Sequence, residues 1–385
     1  MELCVFAPDD GYAEAIIRGL RASFLTEAHY NQMKNCSTMA ELKAFLEETD
    51  YGPFLMAENP NIQTSVLRSR LIKKLADEFE YISAQTVEPL SEFLHLIRCK
   101  YMIDNVVNII EGLKIRVDAD VLIANADPLG YFPEMKNIKV LEGDDYTGLY
   151  RDVLIDTPVG PYFMRFLEEA MEGVESRNIQ EIQALFKEMK PEFIRTSLKK
   201  MWLENFYEFC RNNLNPSSSE LMEDLLKVEA DFKTIQVVYN SIGNKDFNTA
   251  IKIITTRKNL CPNVGYLYPD CQRLLLNAMS IDAMRDNVKG IENYRDILKD
   301  APDPVKKDEF SVATRGLEDI MLEEEAKKYA LAFDQQAHYA VFYAYLKLKE
   351  QEINNVVWVA EMITRKMPKS YIGWKKIVVP FAQLK

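Results

Sequence analysis

The chain has 385 residues, 48% of them hydrophobic, a formal charge of −12, 14 glycines and six cysteines. That length predicts two or three domains, and the apolar content suffices to bury their cores without disulfides or metal. The acidic balance argues against generic nucleic-acid binding, which needs a basic face for phosphates. Glycine stands at about half its average usage of roughly 7%, which favours helices.

Met1 to Asp10 has neither a basic n-region nor a long apolar stretch, so no signal peptide is expected. No uncharged apolar run approaches the roughly 20 residues of a membrane helix. The first strong element is a helix capped by Thr38, with Leu42 and Leu46 on one face and Glu41 placed for a capping box. Leu67, Leu71, Leu75 and Phe79 then recur at helical spacing. They precede the phrase Ile103-Asp104-Asn105-Val106-Val107.

The same order appears twice more. Asp145 with Leu149 and Val153, then Ile194, Leu198, Trp202 and Phe206, lead to Thr234-Ile235-Gln236-Val237-Val238. Ser280 with Met284 and Val288, then Ala330, Phe333, Ala337, Val341 and Tyr345, lead to Ile353-Asn354-Asn355-Val356-Val357. Within that last stretch a turn is expected near Phe333 to Gln336, because one uninterrupted helix would be too long for a globular domain. Turn residues cluster at Asp127 to Gly130 with Pro133, at Asn215-Pro216, and from Pro262 to Pro269 around Gly265.

This pattern predicts an all-α fold of three pseudo-repeated helical bundles: residues 1–126, 127–262 and 263–385. The second unit carries an acidic insertion near 168–191. The third ends in a basic stretch, Arg365 to Lys385, with Tyr371, Trp374 and Phe381 interleaved among its bases. That stretch reads first as a frayed tail. Its functional alternatives are an anionic lipid surface or an acidic subunit.

Catalytic and metal-binding patterns are missing. There is no G-x-x-x-x-G-K-[ST], no G-x-G-x-x-G and no G-x-S-x-G. His29, His95 and His338 lie far apart, without the paired spacing of a zinc helix, and His338 reads as a packing or surface histidine. The six cysteines form no C-x-x-C pair and read as reduced thiols. Glu323-Glu324-Glu325, or Glu350 with Glu352, supply carboxylates, but acid–base work needs a shared dry pocket. The mixed charges of Lys347, Lys349, Glu350 and Glu352 read better as a solvated or partner-facing stripe. The aromatic runs Leu203 to Phe209 and Tyr339 to Tyr345 read as core. No catalytic, cofactor-binding or metal-binding residue is therefore nominated, and no cofactor is expected.

Several longer motifs carry a resemblance. They include Gly11-Tyr12, Arg18-Gly19-Leu20, Thr49-Asp50-Tyr51-Gly52-x-Phe54-Leu55, Tyr101-Met102-Ile103-Asp104-Asn105-Val106 and Pro128-Leu129-Gly130-x-Phe132. Asp156-Thr157-Pro158, Leu203-Glu204-x-Phe206-Tyr207-x-Phe209-Cys210, Glu229-Ala230-Asp231 and Leu267-Tyr268-Pro269 follow. The last are Val341-Phe342-Tyr343-Ala344, running into Lys347 to Glu352, and Asn355-Val356-Val357-Trp358-Val359-Ala360-Glu361. With these the chain resembles the subunit d family of V-type proton-pumping ATPases, which has a funnel-shaped archaeal-type counterpart.

The resemblance implies a funnel-like scaffold and a non-catalytic rotor or coupling role. It implies a seat on the cytosolic end of the membrane proteolipid c-ring, where the protein receives the central stalk subunits D and F, with subunit a as a further partner. It also implies peripheral membrane association through the ring, on the cytoplasmic face of a vacuole-, lysosome- or endosome-like membrane. The family supplies no catalytic residue to carry over. The alternative from another class is a free helical-repeat adaptor that binds protein partners.

Overall fold

A computed structural model describes residues 9–140, 149, 154–170, 190–243, 256–299, 301–304 and 316–382. The described residues form helices and connecting turns, with no strand among them. In the first third lie α1 (Gly11–Leu20), α2 (Glu27–Asn35), α3 (Met39–Glu47), α4 (Gly52–Leu55), α5 (Thr64–Ser83), α6 (Leu90–Lys114) and α7 (Ala119–Ala124). Short 3-10 segments at Pro128–Gly130 and Pro133–Val140 follow, then α8 (Gly160–Ala170), α9 (Pro191–Asn213) and α10 (Pro216–Ser241). The rest comprises α11 (Asp270–Leu276), α12 (Ile281–Val288), α13 (Glu292–Lys299), α14 (Leu317–Leu331), α15 (Ala340–Thr364) and a final 3-10 turn at Ile372–Lys376.

Local chemistry sets several helix starts. Thr38 accepts from the Glu41 amide at 3.2 Å, Asn215 from the Ser218 amide at 2.8 Å, and Ser280 from the Ala283 amide at 3.2 Å. Each satisfies a backbone donor that has no partner within its own helix. The reciprocal half of the Thr38 box differs from expectation. The Glu41 carboxylate reaches one residue further and accepts from the Ser37 amide at 2.7 Å. The expected Asp145 cap and most of the 168–191 insertion lie outside the described residues.

The three copies of the repeated phrase fall within α6, α10 and α15, helices of 25, 26 and 25 residues. The periodic residues Leu67 to Phe79 and Ile194 to Phe206 are buried on α5 and α9. Here the spacing of three and four does what amphipathic periodicity requires. α9 packs against both α6 and α10, and α15 against α5 and α14. Where α6, α9 and α15 meet, Phe206 stacks on Trp202 at 5.4 Å between ring centroids, with Phe93 at 5.3 Å and Tyr343 at 5.7 Å. Both aromatic runs are thus largely core, and the buried Trp202 indole donates to the Leu96 carbonyl at 2.7 Å.

Buried apolar residues form two clusters. The larger joins α1–α6, α8, α9, the first half of α10, the C-terminal part of α14, and α15. The smaller joins the second half of α10 to α11–α13 and the start of α14. α14 ends at Leu331 and α15 starts at Ala340, so the turn expected near Phe333 to Gln336 is present. That turn is clamped from α1. Arg18 donates to the Phe333 carbonyl at 2.8 Å and to that of Gln335, and Glu14 accepts from the Ala337 amide at 3.0 Å. Ala337 has φ +62, a left-handed conformation that costs a side-chain-bearing residue energy and needs such fixation.

The C-terminal segment departs from the frayed-tail expectation. Trp374 and Val378 are buried, Tyr371 and Phe381 pack against the larger cluster, and the Asn355 amide donates to the Val378 carbonyl at 2.6 Å. Trp358 donates to the Gly373 carbonyl at 2.8 Å, and the Arg21 guanidinium lies 4.5 Å from the Phe381 ring centre. The aromatics face the protein, while Arg365, Lys366, Lys369, Lys375 and Lys376 remain exposed. They alternate because the segment lies along α15 with one side covered. No helix among the described residues is long and apolar enough to cross a membrane.

Candidate functional site

Of the four charges on α15 read from sequence as a solvated or partner-facing stripe, Lys349 and Glu352 are buried and Lys347 and Glu350 partly buried, which corrects the solvated reading. Lys349 and Glu352 are 1% and 0% exposed and pair at 2.8 Å. Glu352 also accepts from the Tyr51 hydroxyl at 2.6 Å and the Leu25 amide at 2.5 Å. Lys349 sits 4.2 Å from the Phe24 ring centre and donates to the Ser23 carbonyl at 3.3 Å. Burial lowers the Lys349 pKa, and Glu352 partly restores it. This pair ties α15 to the chain between α1 and α4.

On the opposite side of α15 a second network joins α6, α9, α10, α14 and α15. Its centre is Glu229, 4% exposed, with Lys347 at 3.0 Å and Lys233 at 3.1 Å. The buried Tyr343 hydroxyl donates to the same carboxylate. Burial alone would raise the Glu229 pKa, yet Lys233, Lys347, Lys100 and Tyr343 together hold it well below the usual carboxylate range. From α6, Lys100 reaches Glu350 at 3.5 Å, and Asp104 receives both Lys199 at 2.7 Å and Arg195 at 3.0 Å from α9. Carboxylates are shared between cations, which is how buried charges avoid a large desolvation cost.

Glu325 of α14 faces this network, and among the described residues no cation forms a close ion pair with it. It lines a cavity of about 130 Å³ with Lys347, Glu350 and Tyr329. Burial, and after it the nearby Glu229 charge, outweigh the lysines and push its carboxyl up to about 7. A smaller cavity of about 50 Å³, lined by Tyr101, Asp127, Glu350 and Asn354, lies on the other side of Glu350. Asp127 also caps the Pro128–Gly130 turn, accepting from the Leu129 amide at 2.9 Å, and its backbone exchanges hydrogen bonds with Asn105.

A third carboxylate fixes the loop before α11. Asp231 accepts from the Tyr266 amide at 2.8 Å, the Leu267 amide at 3.1 Å and the Tyr294 hydroxyl at 2.5 Å. Burial pushes its pKa up to about 6 despite these donors. Gly265, at φ +132, is required there, because a Cβ would strike the Asp231 carboxylate.

The other residues weighed from sequence do not assemble. His29 caps α2, its Nδ1 accepting from the Thr26 amide at 3.2 Å. His95 lies on α6, and His338 is buried with Nε2 3.1 Å from the Gln335 carbonyl, its pKa lowered by burial. Cys36, Cys99, Cys210, Cys261 and Cys271 are unbridged. Of the Glu323–Glu325 run, Glu323 and Glu324 pair with Lys327 at 3.5 Å and 2.6 Å, and only Glu325 turns to the network. The available signal for that network is that α15 is apolar nearly all round from Ala340 to Leu348, which leaves its charges no water to face.

The motifs that carried the resemblance coincide with these anchors, among them Glu229, Asp231, Tyr343, Lys349, Glu352 and Asn355. Comparison with known proteins agrees. The family model described as ATP synthase (C/AC39) subunit matches residues 13–375. The V-type proton ATPase subunit d of Dictyostelium discoideum is 37% identical over 365 residues, covering 95% of this chain and 94% of that protein. Subunit d2 of Arabidopsis thaliana is 36% identical over 368 residues, covering 94% and 95%. Subunit d of Saccharomyces cerevisiae is 32% identical over 366 residues, covering 95% and 96%. The chain belongs to the C/AC39 family of ATP synthase subunits, as a V-type proton ATPase subunit d.

Proposed function

We propose that this chain is a non-catalytic rotor and coupling subunit, seated on the cytosolic end of the proteolipid c-ring and receiving the central stalk subunits D and F. In that seat it transmits torque from ATP hydrolysis to proton translocation, with subunit a as a neighbour. It associates peripherally with the cytoplasmic face of a vacuole-, lysosome- or endosome-like membrane. The observation that carries this reading is identity above 30% to subunit d relatives along nearly the full length of both chains.

The physical character of the molecule supports it. Torque transfer needs helices that do not slide, and ionic ties between α6, α9, α10, α14 and α15 oppose sliding, since each requires its partners at one register. The placement of the three repeated phrases on the three long helices supports an organisation in three bundles, 1–126, 127–262 and 263–385, arranged as a funnel. Detergent extraction tests the assignment: the chain should co-purify stoichiometrically with the proteolipid ring. Intact organelle acidification after its loss would refute the coupling role.

A further inference from the structure

A concavity of about 510 Å³ lies between α9, α10 and the segment 256–262, apart from the Glu325 cavity. Its walls carry Arg195, Lys199, Lys200, Lys233 and Arg257, against one carboxylate, Glu192, among the described residues. In a chain of charge −12 this is a local reversal. We infer that this concavity is a binding site for a small, multiply charged phosphate-class anion.

The cations are incompletely neutralised. Arg195 and Lys199 divide one carboxylate, Asp104, and Lys233 divides Glu229 with Lys347. Lys200 has the Asn259 carbonyl at 3.1 Å, and Arg257 has the Leu276 and Ala278 carbonyls at 2.8 Å and 2.6 Å, neutral acceptors in both cases. Among the described residues Arg195 Nε has no hydrogen-bond acceptor, and the Glu192 carboxylate stands 3.6 Å from it.

The charge balance selects the ligand class. A monovalent carboxylate would leave most of the excess in place, whereas a polyphosphate matches several cations at once, and guanidinium and ammonium groups both favour phosphate oxygens. Burial lowers the pKa of Lys199 and Lys233, each also pressed by neighbouring cations, and an anion in the cavity would relieve both. Thr196, Asn240 and Thr256 add neutral polar groups to the lining, and Phe193 and Val237 close it with apolar surface.

Titration calorimetry of the full chain with tripolyphosphate, inositol hexakisphosphate and ATP tests the site and separates inorganic, inositol and nucleotide sources. Saturable binding of at least one probe is expected. Lys199→Gln and Lys233→Gln should each weaken it roughly tenfold or more, as loss of a charge-assisted contact does. Lys366→Gln and Lys375→Gln, the same charge change on the exposed C-terminal face, should leave it unchanged. Acetylation footprinting of the unaltered chain avoids dependence on variant folding: the bound probe should protect Lys199 and spare Lys366 and Lys375. No binding of any probe at millimolar concentration, or protection that is equal at Lys199, Lys366 and Lys375, overturns the inference.

Discussion

Glu229 holds two lysines from different helices, so its removal has a cost set by what remains. In Glu229→Gln, Lys233 and Lys347 keep their charges in an enclosed site without their shared counter-ion. Breaking a buried pair in this way costs about 3 kcal/mol or more. Urea unfolding of the variant at neutral pH should show that loss. The pH dependence has a definite direction, because the folded-state pKa is depressed. The contribution of Glu229 is complete above its unfolded value of 4.5 and disappears as pH falls through the lower folded value.

Glu325 behaves oppositely. With its carboxyl raised to about 7 in the folded chain, the native state holds the proton more tightly than the unfolded state. Its favourable contribution is present below pH 4.5 and is lost as pH rises towards 7. Glu325→Gln should therefore melt at a higher temperature than the unaltered chain at about pH 8, with a smaller difference at about pH 5. Paired melting curves at the two pH values check this. A constant difference would mean that Glu325 does not titrate in that interval.

At the scale of elements, legibility follows the range of the interaction. Thr38, Asn215 and Ser280 are readable as caps because each bonds an amide three residues away, inside one window of sequence. The charges of α15 mislead because their burial is set by remote partners: Tyr343 meets Glu229 across 114 residues, and Tyr51 meets Glu352 across 301. Alternating sign at helical spacing looks the same on a wet face and a dry one. The C-terminal bases mislead similarly, since their charge is visible in the sequence and the Asn355 amide that binds the Val378 carbonyl is not. The caps also carry a measurable share of stability. Asn215→Ala should destabilise the chain by about 1 kcal/mol, seen as a lower urea midpoint, because the Ser218 amide loses its acceptor at the start of α10.

At the scale of the whole molecule, the C-terminal segment closes the larger apolar cluster. Deleting residues 368–385 would uncover Trp358 and strip Trp374, Val378 and Phe381 from the larger cluster. At about 1.5–3 kcal/mol for each large apolar side chain buried, the loss should reach several kcal/mol. Calorimetric melting of the truncated chain should show a clear drop in Tm, where a frayed tail would give none.

α10 belongs to both apolar clusters: Met222, Leu225, Leu226 and Ala230 to the larger, Phe232, Ile235 and Val238 to the smaller. At about 1.5 Å per residue its 26 residues form a rod roughly 39 Å long, held by its own hydrogen bonds from end to end. The two halves of the molecule thus share a beam in place of a hinge, and neither can open without fraying it. Hydrogen exchange should accordingly find the amides of residues 226–232, where the clusters meet, among the slowest in the chain, opening only when the whole molecule unfolds.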